Sequence, residues 1–100
     1  MKKSAVVYLR TAQRDLLEIH RYLSDDSPAQ AQAWVEKIDA ALGRLAAFPE
    51  SGMIPKDERL EALGYRIVVI GEYLAFYVIR GERVEIRRVL HGKRRYSFLL

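Results

Sequence analysis

The sequence predicts an α+β fold: an N-terminal strand, an antiparallel helical hairpin, and a three-stranded antiparallel meander with the helices packed on one sheet face. Three observations carry this. Tyr65 to His91 is rich in β-branched and aromatic residues and is broken twice by the same dipeptide, Gly71-Glu72 and Gly81-Glu82. Two-residue loops that begin with glycine suit type II′ hairpin turns, whose first position needs a positive φ. Upstream, apolar residues recur at helical spacing in two blocks separated by Asp25-Asp26-Ser27-Pro28.

In chain order, Ala5-Val6-Val7-Tyr8-Leu9 is a short apolar run suited to a strand buried in the sheet. Thr11 is the expected N-cap of the first helix, with Leu16, Ile19, His20 and Leu23 on one stripe as far as Ser24. Ser27-Pro28-Ala29-Gln30 is a stronger start: serine at the cap, proline at the first helical position and glutamine completing a capping box. Ala31, Trp34, Val35, Ile38, Ala41, Leu42, Leu45 and Phe48 form the buried stripe of the second helix, expected to stop at Pro49. Residues 50–63 read as a loop, and Gly92 to Leu100 as a tail, basic at its start and apolar at its end, that docks on the domain.

The two turns pair Ile70 with Tyr73 and Arg80 with Arg83, and so set the register. Strict alternation then places Arg66, Val68, Ile70, Tyr73, Ala75, Tyr77, Ile79, Val84, Ile86, Arg88 and Leu90 on one face. Tyr65, Ile67, Val69, Leu74, Phe76, Val78, Val89 and His91 fall on the other with Arg80, Arg83, Glu85 and Arg87. A bulge at Arg87-Arg88 would shift the last residues by one. Both faces of the middle strand are apolar, so each needs a cover.

Residues 1–100 are expected to form a single domain, long enough for a core without metal or disulfide staples. There is no cysteine, which excludes disulfides and thiol chemistry, and no metal spacing or cofactor fingerprint. With no long apolar run and no signal-peptide core in the lead-in Met1-Lys2-Lys3-Ser4, the expectation is a cytoplasmic protein away from the membrane. The formal net charge is +4, and all of the excess lies in residues 51–100. Arg83, Arg87, Arg88, Lys93, Arg94 and Arg95 stand against Glu85 alone in residues 83–95, which suggests an anionic partner if it is more than a solubilising edge. His20 has no accompanying ligand set and reads as a packing or surface residue.

Four segments in order, Phe48-Pro49-Glu50-Ser51-Gly52, Gly64-Tyr65-Arg66, Tyr73-Leu74-Ala75-Phe76-Tyr77 and Val84-Glu85-Ile86-Arg87-Arg88-Val89-Leu90-His91-Gly92, resemble the RelE/ParE superfamily of toxins from type II toxin–antitoxin modules. The resemblance implies a toxin held inactive by an antitoxin, through which any contact with operator DNA would run. The antitoxin would cover the second apolar face and the basic patch, with Tyr73, Tyr77 and Leu90 as its expected contacts. RelE-like members cut messenger RNA on the ribosome; ParE-like members inhibit DNA gyrase.

For RNA cleavage the resemblance nominates Arg66 and Arg88 as cations for the phosphorane charge and His91 or Tyr96 as proton carriers, with Lys93, Arg94 and Arg95 as target-binding charge. The residues themselves allow plainer roles: arginines stacked on tyrosines, and a histidine closing a strand end. The lysine loop of RelE is reduced here to Lys56, and Val89-Leu90-His91 resembles ParE-like endings, so the reading leans to gyrase. A different class, a non-catalytic nucleic-acid-binding module built on the basic patch, is the alternative, with a housekeeping RNA-processing enzyme behind it.

Overall fold

The computed structural model describes residues 3–100; Met1 and Lys2 of the expected lead-in lie outside them. Strand β1 (Ala5–Tyr8) leads into helices α1 (Arg10–Asp26) and α2 (Pro28–Gly43), a short helix α3 (Glu58–Ala62), and strands β2 (Tyr65–Ile70), β3 (Tyr73–Arg80) and β4 (Arg83–His91). The sheet order is β1-β4-β3-β2, with β1 parallel to β4 and the other pairs antiparallel. The meander is therefore the greater part of a four-stranded mixed sheet, closed on one side by the N-terminal strand.

Both hairpin turns form as the sequence implies. Gly71 and Gly81 each have φ +60, and Ile70 pairs with Tyr73 and Arg80 with Arg83. The helix starts divide. Ser27 accepts a hydrogen bond from the Gln30 N–H at 3.2 Å, as a cap should, but its own N–H bonds to Leu23 O, so the capping box is only half made. Thr11 is not the cap of α1, which begins after Leu9 without a side-chain cap, and α1 runs on through Asp25-Asp26. Instead the Thr11 hydroxyl donates to Arg87 O at 2.7 Å, tying the first turn of α1 to β4. The second helix ends at Gly43 rather than Pro49, tightening into a 3₁₀ turn over Arg44–Ala46. Helix α3 falls in the expected loop; Asp57 caps it by accepting from the Leu60 N–H at 3.1 Å.

The helices cover one face. Ala12, Ile38, Ala41, Leu42 and Leu45 pack on Ile70, Ala75, Tyr77, Val84, Ile86 and Val89. The chain covers its own second face as well: Leu60 of α3 and Tyr96 and Leu100 of the tail pack with Tyr65, Ile67, Phe76, Val78 and Leu90. The tail docks as expected, and the face expected to receive an antitoxin is already covered by residues of this chain.

Strict alternation fails at one place. Tyr77 pairs with Ile86 but Phe76 with Arg88, leaving Arg87 as the extra residue of a β-bulge. Past the bulge the phase inverts, so Val89 joins the helix-side core and Leu90 the second core. Arg88 and Leu90 therefore do not share the face of Arg66, and His91, paired with Tyr73, lies on the helix side.

Candidate functional site

The segment Phe48 to Gly52 wraps the outer edge of β2, and two residues hold it there. The buried Tyr77 hydroxyl donates to Pro49 O at 2.6 Å and accepts from the Gly52 N–H at 2.9 Å. Burial is the main cause raising its phenol pKa, which keeps the donor proton in place. Arg66 Nη1 donates to Glu50 O at 3.0 Å and Gly52 O at 3.1 Å. Gly52 is required by this packing, because a Cβ there would stand 2.5 Å from the Tyr77 hydroxyl oxygen. Met53 then adds a one-residue antiparallel bridge to Ile67. Arg66 and Tyr77 thus hold the loop.

Arg88 is committed at the opposite side of the sheet. β1 ends at Tyr8, opposite Ile86, so the next backbone groups of β4 need other partners. Helix α1 supplies them through Thr11 and through Asp15, whose Oδ2 accepts from the Val89 N–H at 3.0 Å. The same carboxylate grips Arg88 at both ends, Nε to Oδ2 at 2.7 Å and Nη2 to Oδ1 at 2.9 Å. That bond is the first cause holding the Arg88 pKa above its ordinary value. Arg88 also donates to Leu99 O at 3.3 Å, while Arg59 donates to Ser97 O at 2.6 Å and Leu100 O at 3.2 Å. Two arginines therefore pin the tail over the second core by its carbonyls.

His91 stands elsewhere again, in an open groove between the helical hairpin and the ends of β3 and β4. The groove encloses about 650 Å³ and is lined by Ile19, Tyr22, Leu23, Trp34, Tyr73 and His91 among others. Tyr73 sits edge-on between Trp34 and His91, each ring centroid 5.4 Å away. The His91 Nδ1 accepts from the Lys93 N–H at 3.1 Å, closing the strand end, and Nε2 is 3.7 Å from a Glu72 carboxylate oxygen. Tyr96 lies on the other side of the sheet with its ring 4.9 Å from that of Phe76.

Of the four nominated catalytic residues, Arg66 is at the β2 edge and His91 in the groove. Arg88 and Tyr96 lie on the same side of the sheet, Arg88 paired across from Phe76 and Tyr96 packed on the Phe76 ring. Of the three nominated antitoxin contacts, Tyr77 and Leu90 are buried within the chain, and Tyr73, half-buried, lines the groove together with Leu90. Lys93, Arg94 and Arg95 are exposed beyond β4, and among the described residues none of their side chains makes an ion pair.

The basic stretch 83–95 is split by the structure. At the far end of β4 from the tail, Glu85 is buried with three guanidinium contacts: Arg83 Nη2 at 2.6 Å, Arg87 Nη2 at 3.2 Å and Arg80 Nε at 3.3 Å. The Arg83 hydrogen bond leads in holding its carboxyl pKa below the ordinary value, against burial, which acts the other way. Arg87 lies over the Tyr65 ring at 5.7 Å. This cluster escaped the sequence reading, which counted Arg83 and Arg87 as part of one patch and left Arg80 out of it; the alternation of Arg83, Glu85 and Arg87 along a strand was the available signal. Among the described residues no group of three His, Cys, Asp or Glu is placed to hold a metal ion, and no helix is long and apolar enough to cross a membrane.

Residues 6–96 match the family described as the ParE toxin of the type II toxin–antitoxin system parDE. Among solved structures, a chromosomal ParDE TA system from P. aeruginosa is similar with a TM-score of 0.72 at 20% identity, covering 89% of this chain and 96% of that one. The toxin–antitoxin complex RelBE2 from Mycobacterium tuberculosis is similar with a TM-score of 0.62 at 27% identity, covering 89% and 98%. No curated protein sequence matches.

Proposed function

The chain belongs to the ParE toxin family of type II toxin–antitoxin systems, and from that premise we propose that it arrests growth by binding DNA gyrase in the cytoplasm rather than by cutting ribosome-bound messenger RNA. One observation carries this reading. In-line RNA cleavage needs a base, an acid and phosphorane-stabilising cations converging on one phosphate. Here Arg66 holds the 48–52 loop, Arg88 is gripped by Asp15, His91 closes a strand end in the groove, and Tyr96 packs on the second core.

What stays free is charge: Lys93, Arg94 and Arg95 project from the end of the sheet and suit an acidic protein surface. An antitoxin keeps the toxin silent and makes any operator contact. We assign it the groove beside Tyr73, which is open, apolar-walled and large enough for anchoring side chains. Both solved structures reported above come from toxin–antitoxin systems, which supports such a partner.

Inducible expression, with gyrase-linked DNA breaks and messenger RNA ends mapped in the same cells, tests the proposal. The expected result is linked breaks with intact messages, and strongly salt-dependent loss of gyrase binding on reversing the charges of Lys93, Arg94 and Arg95. Messages cut at ribosome-bound codons, with DNA unbroken, would refute it.

A further inference from the structure

The guanidinium cluster around Glu85 has more positive charge than folding calls for. Three arginines meet one carboxylate. Two of them, Arg80 and Arg83, are directly opposite in the β3–β4 register, an arrangement of like charges that weakens a sheet. Their side chains are 64% and 57% exposed, whereas Glu85 is 7% exposed. Each guanidinium offers five N–H donors, and the contacts to Glu85 use one from each. Glu85 acts as a post that spaces the forks, with Arg80 and Arg83 facing water and Arg87, 26% exposed, lying lower over the Tyr65 ring.

We propose that Arg80, Arg83 and Arg87 form a phosphate-binding surface for the backbone of a nucleic-acid strand, separate from the tail cations at the other end of β4. Guanidinium forks match phosphate oxygens in pairs, which ammonium groups do not. An acidic peptide is the poorer fit. A peptide that binds by strand addition finds no free edge here, because beside the cluster β4 is already paired with β1 on one side and β3 on the other. A nucleic-acid strand needs no edge and presents a charge at every nucleotide. The inference is independent of whether gyrase is the target.

The test is fluorescence anisotropy of the purified full chain with a fluorescein-labelled 20-nucleotide oligothymidylate, measured across a salt series. Each phosphate contact adds about 0.7 to the magnitude of the slope of log K against log salt for a single strand. Arg80→Gln, which leaves Glu85 two arginine partners, should lower that slope by about 0.7. Arg80→Gln with Arg83→Gln should lower it by about 1.4 and weaken binding by up to about sixtyfold at 0.05 M salt. The same decrements should appear when Lys93, Arg94 and Arg95 are all glutamine. An unchanged slope in folded Arg80→Gln would overturn the proposal. So would polyglutamate of equal charge displacing the oligonucleotide as well as unlabelled oligothymidylate does.

Discussion

Removing the Asp15 carboxylate should be the most costly single truncation on the surface of α1. In Asp15→Ala the Arg88 guanidinium loses both of its charge-assisted bonds, at 2.7 and 2.9 Å, and the Val89 N–H loses its acceptor. The side chains of Arg88 and Asp15 are only 20% and 9% exposed, so water does not fully replace what is lost. Breaking a largely buried pair costs about 3–5 kcal/mol, and partial access of Arg88 to water puts the expectation near the lower end. Against a total stability of about 5–15 kcal/mol for such a domain, that is a drop of roughly 12–25 °C in melting temperature. Urea unfolding of wild type, Asp15→Ala, Arg88→Met and Asp15→Leu/Arg88→Met checks it. The double variant should be more stable than Asp15→Ala, because it strands no charge. A cost below about 1 kcal/mol for Asp15→Ala, the range of exposed ion pairs, would refute the reasoning.

Tyr77→Phe removes the hydroxyl that holds Pro49 O and the Gly52 N–H; it should cost about 1–3 kcal/mol and raise the rate of proteolytic cleavage within residues 48–52. Ser27→Ala removes the cap of α2 and should cost about 1 kcal/mol in thermal unfolding while leaving growth arrest by the folded protein unchanged. Because the Glu85 carboxyl is held below its ordinary value of 4.5, its contribution to stability is present above that value and is lost as pH falls through it toward the folded-state pKa. Glu85→Gln should therefore be less stable at neutral pH and lose less on acidification, measured as unfolding midpoints from pH 7 downward.

The elements legible in the sequence were those whose cause is local. Gly71 and Gly81 announce their turns, Ser27-Pro28 announces α2, and register follows from the turns alone. The bulge was legible only as an option, because Arg87 and Arg88 carry no glycine to mark it. Its trace is the spacing of Val84, Ile86 and Val89, a step of two followed by a step of three within one core. Helix α3 is five residues long and buries only Leu60, too little for a periodic signal. The site was less legible than the fold for the same reason. Whether Arg88 is free depends on Asp15, 73 residues away, and whether Arg66 is free depends on carbonyls of a loop whose path no pattern of residue types reveals.

The parallel pairing of β1 with β4 also orders events during synthesis. Ala5 waits for Arg83, and Tyr8 for Ile86. At the usual pace of about 5–20 residues per second, the first strand spends roughly 4–16 s without its partner as the intervening chain is made. The helical hairpin can form in that interval from local contacts, but the sheet cannot close around it. A chain halted by the ribosome before residue 83 has no β4, no anchor for Asp15 and no Glu85 cluster. Premature termination thus yields fragments that lack the assembled toxin surface, which forms only once β4 has been made.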